Sequence, residues 1–377
     1  MRVYADYNAG APLRPEAASL MREALAWAGN PSSAHREGAR ARRAVATARA
    51  QVAALVGAGP DEVVFCSGAT EANALALTSA CRPGAHVVTT AIEHASVLAP
   101  LEAAECAGTR VSRVGVSADG SVDAARVVAA CEPGTVLISV GMANGEVGAV
   151  APVAAIGDAA RARGIPVHSD AAQAVGRLPV DVHRLGIDLL ALSAHKLGGP
   201  SGVGALVVRR GTPVEPLFRG GPQERGRRAG TENLLGIVGF GAAAAAARAA
   251  LSDETERLRH LTETLWRDLR QAVAGVVRNG PARDGLPGTL NVTVPGVSGE
   301  SLLVLLDLAG VAASLGSACA AGSPEPSHVL RAMGRDEERA RAGLRLSLGW
   351  GTTAADVQRL SIVFAEATAR ARAGAAA

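Results

Sequence analysis

Aromatic residues are scarce: Phe, Trp and Tyr together make up 2% of the 377 residues. Any large core must therefore be built from Ala, Val and Leu, and a hydrophobic content of 48% supplies them. The same scarcity removes the stacking surfaces that single-stranded nucleic acids use. With a net charge of only +3, direct nucleic-acid binding is not expected, although arginines cluster at residues 36–49 and 219–228. The five cysteines, Cys66, Cys81, Cys106, Cys131 and Cys319, form no CxxC pair and show no zinc spacing. Thiols in a reducing, cytoplasmic setting are expected, with neither disulfides nor a metal centre. No signal-type apolar segment opens the chain and no apolar run of about 18 residues occurs, so secretion and membrane spanning are not expected. GxGxxG and GxxxxGK[ST] are both missing, which argues against a Rossmann dinucleotide site and a P-loop.

What is present is a long alternation. Apolar runs at Val63–Cys66, His86–Thr90, Arg110–Val114, Thr135–Val140, Val167–Ser169, Leu189–Ser193 and Val203–Val208 read as strands. Helical stretches separate most of them, at Thr70–Ala80, Ser96–Cys106, Val122–Ala130 and Val153–Arg163. Continuous apolar strands alternating with helices predict an α/β domain on a mainly parallel sheet covered on both faces. In such sheets ligands gather at the carboxyl ends of the strands. After a helical stretch at Asp253–Val273 the pattern changes to that of an α+β lobe. We expect a large domain over residues 14–252 and a small one made of residues 1–13 and 253–377.

Unusual residues fall at the predicted strand ends. Lys196 follows the Leu189–Ser193 strand and precedes Gly198 and Gly199, where a lysine can be a solvated loop residue or a Schiff base to a carbonyl cofactor. After Val63–Cys66, the stretch Ser67-Gly68-Ala69-Thr70 opens a helix, as an ordinary capped start or as a phosphate cup. His94 lies just past the next strand, suited to stacking, to proton transfer or to a structural role. Asp170 ends another strand, with Gln173 about one turn on; it can cap a helix or pair with a pyridinium nitrogen. The Gly- and Arg-rich loop 219–233 ends at a helix start with Thr231 as cap, and hints at an anion site. In the second lobe, Cys319 sits among small and hydroxyl residues, as a reactive nucleophile or as an ordinary thiol, and Arg345 on a strand can clamp a carboxylate or be a surface arginine of an edge strand.

Read together, these stretches carry a family resemblance. GNPSSAH (29–35), SGATEAN (67–73), Glu93-His94, HSDAAQAVG (168–176), SAHKLGGPSGVGAL (193–206), GGPQERGRRAGTEN (220–233), GSAC (316–319), EPSHVLRAMG (325–334) and RLSLG (345–349) make the chain resemble the NifS/IscS-like cysteine desulfurases of the class V aminotransferase family. The resemblance spans nearly the full length. It implies a pyridoxal 5'-phosphate (PLP) enzyme of fold type I, with a mainly parallel seven-stranded-type sheet, a smaller α+β domain and a homodimer with active sites at the subunit interface. Lys196 is then the Schiff-base lysine, and Ala69, Thr70, Ser193 and His195 hold the phosphate, with Thr231 coming from the partner subunit. His94 stacks on the ring and shuttles a proton, Asp170 pairs with the ring nitrogen and Gln173 touches the phenolic oxygen. Arg345 binds the carboxylate of L-cysteine, with Asn8 and Asn30 nearby. Cys319 takes the sulfur as a persulfide and passes it to an acceptor protein, in iron–sulfur assembly, tRNA thiolation or DNA phosphorothioation. A selenocysteine lyase or an aminotransferase is the alternative.

The chain departs from the family pattern at three places. The arm Asp6-Tyr7-Asn8-Ala9-Gly10-Ala11-Pro12 lacks the usual two threonines. Asn144-Gly145-Glu146 replaces Asn-Asn-Glu, and Leu315 stands where a serine is usual. Leu315 is expected to dock its segment on the lobe as a strand.

Overall fold

The computed structural model describes residues 2–316 and 325–375. The N-terminal arm contributes a two-residue strand, β1 (Val3–Tyr4), and is followed by α1 (Pro15–Ala24) and α2 (Arg36–Leu55). The alternating region then forms β2 (Val63–Cys66), α3 (Ala69–Ala80), β3 (His86–Thr90), α4 (Ala95–Cys106), β4 (Arg110–Val114), α5 (Ala124–Ala129), β5 (Thr135–Ser139), α6 (Val153–Arg161), β6 (Val167–Asp170), β7 (Leu189–Ser193) and β8 (Gly204–Val208). These strands make one seven-stranded sheet in the order β2-β8-β7-β6-β5-β3-β4, parallel except for β8, which runs antiparallel to both of its neighbours.

The alternation of side chains across each strand explains why the runs are apolar throughout. Val63 and Phe65 of β2 enter the core that holds Leu190, Leu192, Phe240 and α2, while Val64 and Cys66 enter the opposite core with Leu75, Leu77 and Leu101. The edge strand β4 is covered less and carries Arg110 and Arg113 outward.

Beyond the sheet, α7 (Leu234–Ala272) runs unbroken for 39 residues, about 58 Å at the helical rise. The sequence pattern predicts two helices here, one capped by Thr231 and a second over Asp253–Val273. Instead Asn233 is the cap, accepting from the Gly236 N–H at 3.0 Å. The first half of α7 packs Ile237, Phe240 and the alanines 242–244 into the large core. Its second half packs Leu258, Leu261, Leu265 and Leu269 into a separate core. By length and composition α7 is the one helix among the described residues able to cross a bilayer, yet Gly236 through Ala244 are buried inside the fold.

The second core belongs to an α+β lobe with β9 (Val277–Arg278), β10 (Thr289–Thr293), α8 (Gly299–Leu308), β11 (Val311–Ala312), β12 (Ser314–Leu315), α9 (His328–Ala332), α10 (Glu337–Ala342), β13 (Leu344–Ser347) and α11 (Ala354–Ala375). Its antiparallel sheet has the order β12-β13-β10-β9. The apolar stretch Val311–Leu315, which the sequence pattern predicts as one short strand over Val311–Ser314, divides at Ala313 into two. β11 pairs in parallel with β1, and β12 joins β13 with Leu315 opposite Leu344. Leu315 is thus docked as a strand; Cys319 lies outside the described residues.

Candidate active site

The carboxyl ends of β2, β3, β6 and β7 open on a cavity of about 680 Å³, closed on one side by the second lobe. Lys196 reaches it from a single 3-10 turn, Ala194–Lys196, directly after β7. Its Nζ donates to the carbonyls of Asn8 at 2.5 Å and Ala9 at 3.0 Å, so the N-terminal arm lies against the lysine.

The next wall is the start of α3. No side chain caps this helix, so its first N–H groups and positive dipole end face the cavity beside Ser67, Ala69 and Thr70. A β-carbon on Gly204 of β8 would lie 2.6 Å from Gly68 Cα, so only glycine lets the strand support this loop. Ser193 Oγ meets His195 Nδ1 at 2.8 Å. Burial, aided by Lys196, lowers the His195 imidazole to about 4 and keeps it neutral. Free helix donors, a hydroxyl and an imidazole form a set suited to a phosphate group.

Asp170 lies across the cavity floor. Its Oδ2 accepts from Asn73 Nδ2 at 2.7 Å and its Oδ1 from the Ala172 N–H at 2.9 Å. Asn73 also donates to Ser96 Oγ at 2.8 Å, and its Oδ1 meets His168 Nε2 at 3.1 Å. His168 is fully buried, which lowers it to about 4. His94 is the N-cap of α4 and lines the cavity, with its Nδ1 2.7 Å from Ser96 Oγ. Desolvation by the cavity walls holds His94 below the usual imidazole range; Asp170 opposes this, and Lys196 and His328 add to it.

Arg345 enters from β13. It is 2% exposed, its Nη2 donates to Asp6 Oδ1 at 2.9 Å and its Nη1 to the Gly145 carbonyl at 3.2 Å. Its Nε is buried and has no hydrogen-bond partner among the described residues, and the same is true of Gln173 Oε1. Both side chains line the cavity. Gln173 Nε2 donates to the Asn8 carbonyl at 3.0 Å. Gly145 accounts for that placement: a β-carbon there would lie 2.6 Å from Gln173 Nε2, so the asparagine of the family pattern does not fit this packing.

Asn8 itself is placed differently from a substrate ligand. Its amide donates to the Gly145 carbonyl at 2.9 Å and to Thr289 Oγ1 at 3.0 Å, and its Oδ1 accepts from Arg177. The side chain is thereby spent on structure, and the Asn8 backbone carbonyl is what meets Lys196 and Gln173. Asn30 is exposed and its Oδ1 accepts from the Ser32 N–H at 2.9 Å, outside the cavity. Thr231 is exposed and does not line the cavity of its own chain either.

Several site residues had no role in the sequence reading. Asn73 and Ser96 connect Asp170 to His94, and Asp6 holds Arg345. Glu93 and Glu146 are buried acids on the cavity wall; burial raises Glu93 to about 7 and lifts Glu146 as well. Asn73 lies inside the SGATEAN stretch, and its available signal was an amide one turn after the cup beside the apolar residues Ala72, Leu75 and Ala76. Among the described residues no group of His, Cys, Asp and Glu is arranged to hold a metal ion.

The donor set suits pyridoxal phosphate: an anion cup, an amine, a carboxylate and the orphaned Gln173 Oε1 and Arg345 Nε meet in one cavity. Comparison with known proteins agrees. The class V aminotransferase profile matches residues 3–360. The cysteine desulfurase IscS of Dictyoglomus turgidum is 42% identical over 360 residues, covering 94% of this chain and 91% of the relative. A NifS-like protein of known structure superposes with a TM-score of 0.91 at 33% identity, over 98% of this chain and all of the other. A structure of SspA in complex with cysteine superposes with a TM-score of 0.81 at 34% identity, over 92% of this chain and 99% of the other. The chain belongs to the class V aminotransferase family and, within it, to the NifS/IscS-like cysteine desulfurases.

Proposed function

We propose that the cavity holds PLP through Lys196, Asp170 and the α3 cup, and that the enzyme moves sulfur from L-cysteine to Cys319 before an acceptor protein takes it. The observation that carries this reading is the convergence of the Lys196 amine, the Asp170 carboxylate and the unpaired Nε of Arg345 on one cavity. Bound there, PLP supplies an electron sink for the amino acid's Cα.

The chain's own residues do the rest. Ala69, Thr70, Ser193 and His195 take the phosphate, and Asp170, fixed by Asn73 and Ala172, favours a protonated ring nitrogen. Arg345 offers its guanidinium to the substrate carboxylate, with Asp6 fixing its orientation. Lys196 Nζ takes the Cα proton, and the nearby Asn8 and Ala9 carbonyls hold the amine in place. The Cys319 thiolate attacks the substrate sulfur: an S–S bond forms, the substrate C–S bond breaks, and the carbon side is protonated to alanine. Thr231, exposed on its own chain, completes the phosphate site of a second copy in a homodimer.

Borohydride reduction tests the lysine. Mass spectrometry is expected to find the reduced cofactor on the peptide containing Lys196, and Lys196→Ala is expected to abolish that adduct. Lys196 is the only lysine in the sequence, so an adduct on the N-terminal amine, or an undiminished adduct in the variant, contradicts the assignment.

A further inference from the structure

The hydrogen bonds around Asn73 have one self-consistent direction. The Asp170 carboxylate accepts, so the Asn73 amide nitrogen must face Oδ2 at 2.7 Å; the flipped amide would set oxygen against oxygen. The second amide hydrogen then goes to Ser96 Oγ at 2.8 Å. Asn73 Oδ1 accepts from His168 Nε2 at 3.1 Å, and His168 Nδ1 accepts from the Ser139 hydroxyl at 2.9 Å, which closes the chain without conflict.

The Ser96 hydroxyl accepts from Asn73 and keeps its own hydrogen to donate, and His94 Nδ1 lies 2.7 Å from its oxygen. The Ser96 backbone N–H donates to the same nitrogen at 3.1 Å, as the cap of α4. Two donors on Nδ1 leave no room for a proton there. We propose that Asn73 and Ser96 are positioning residues that lock neutral His94 with its proton on Nε2, so that it meets the bound molecule as a hydrogen-bond donor and not as a base.

The consequence concerns the expected proton shuttle. A second proton on His94 must enter at Nδ1, and that breaks the cap of α4. Among the described residues, the charged groups acting on His94 include Asp170, which favours the charged ring, and Lys196 and His328, which oppose it. The same network fixes the Asp170 carboxylate, so one amide sets the direction of hydrogen bonding at two points of the cavity. This inference deepens the proposed PLP site and rests on it for its catalytic meaning, although the tautomer is a property of the chain itself.

The test is a two-bond ¹H–¹⁵N correlation spectrum of the full chain labelled at histidine, recorded without added PLP and again with it, His94 being assigned with His94→Gln. The expected spectrum shows His94 with an unprotonated Nδ1 and a protonated Nε2 in both. Ser96→Ala and Asn73→Ala are expected to raise the share of the Nδ1–H form by about tenfold, the value of one neutral hydrogen bond, and Ser96→Thr to restore the wild-type ratio. A proton on Nδ1 in the wild type overturns the proposal whether or not the variants fold. So does a tautomer ratio unchanged in both alanine variants. Because the spectrum is read apart from turnover, a failed desulfurase assay and a failed tautomer lock are separate results.

Discussion

Glu93 is buried beside His94 and is held by two neutral donors, the Thr90 hydroxyl at 2.6 Å and the Gly141 N–H at 2.9 Å. Burial, with Asp170 adding to it, lifts its carboxyl from 4.5 to about 7. Between those values the folded state binds more protons at this group than the unfolded state does, so stability falls as pH rises through the window. Above it the penalty is complete, at roughly 3 kcal/mol. Glu93→Gln is therefore expected to flatten the loss of stability between about pH 5 and about pH 8, read as urea midpoints. An identical pH slope in the variant removes Glu93 as its source. At this scale the sequence was legible for single residues with distinctive chemistry, such as Lys196 and Asp170. It was silent on partners: Asn73 and Ser96 are 23 positions apart, and only the packing of α3 beside α4 brings their side chains within 2.8 Å. Gly145 stood out as a departure from pattern, but its reason, the amide of Gln173 above it, exists only in the fold.

Among the elements, α7 shows what apolar periodicity can and cannot tell. Its leucines after Asp253, Leu258, Leu261, Leu265 and Leu269, repeat at the helical spacing that predicts a core face, and all four are buried in the second core. Its earlier half is mostly Gly and Ala, whose small side chains mark no face. They let α2 approach closely: a β-carbon on Gly241 would lie 2.5 Å from Ala48 Cα. Phe240 is the large anchor in that half, fully buried and edge-on to Phe65 at 6.3 Å. Phe240→Ala is expected to cost about 3–5 kcal/mol, measured by denaturant unfolding, because the surrounding small residues cannot collapse to fill the space. A loss below about 1 kcal/mol would show that this half of α7 is not a packed core element. The inner strands of the large sheet were legible because both faces are buried, and β4 at the edge, RVSRV, only by its place in the alternation. The two-residue strands β1 and β9 were not, since their pairing is set by neighbours far along the chain.

Across the whole molecule, the N-terminal arm joins the two lobes at the site. β1 pairs with β11, Asp6 holds Arg345, and Asn8 and Ala9 meet Lys196. Arg14 completes the seam, donating to the Leu197 carbonyl at 3.0 Å and to both oxygens of Glu254 on α7 at 2.9 and 2.7 Å. Side-chain exposures of 8% and 15% place this ion pair largely out of water. Arg14→Met is expected to cost about 3–5 kcal/mol, read from thermal or urea unfolding, because Glu254 is left as a shielded charge without its partner. Arg14→Met with Glu254→Leu is expected to recover most of that loss, and a double variant as unstable as the single one would contradict this account of the seam.

The most direct measurement of the whole account follows L-cysteine in the PLP-loaded enzyme, with alanine and protein-bound sulfane sulfur quantified in a single turnover for the wild type and for Cys319→Ala. The wild type is expected to form one alanine for each sulfur carried on Cys319. The variant is expected to retain its cofactor and form neither product. Alanine released by Cys319→Ala at the wild-type rate, or a keto acid in place of alanine from the wild type, would contradict it.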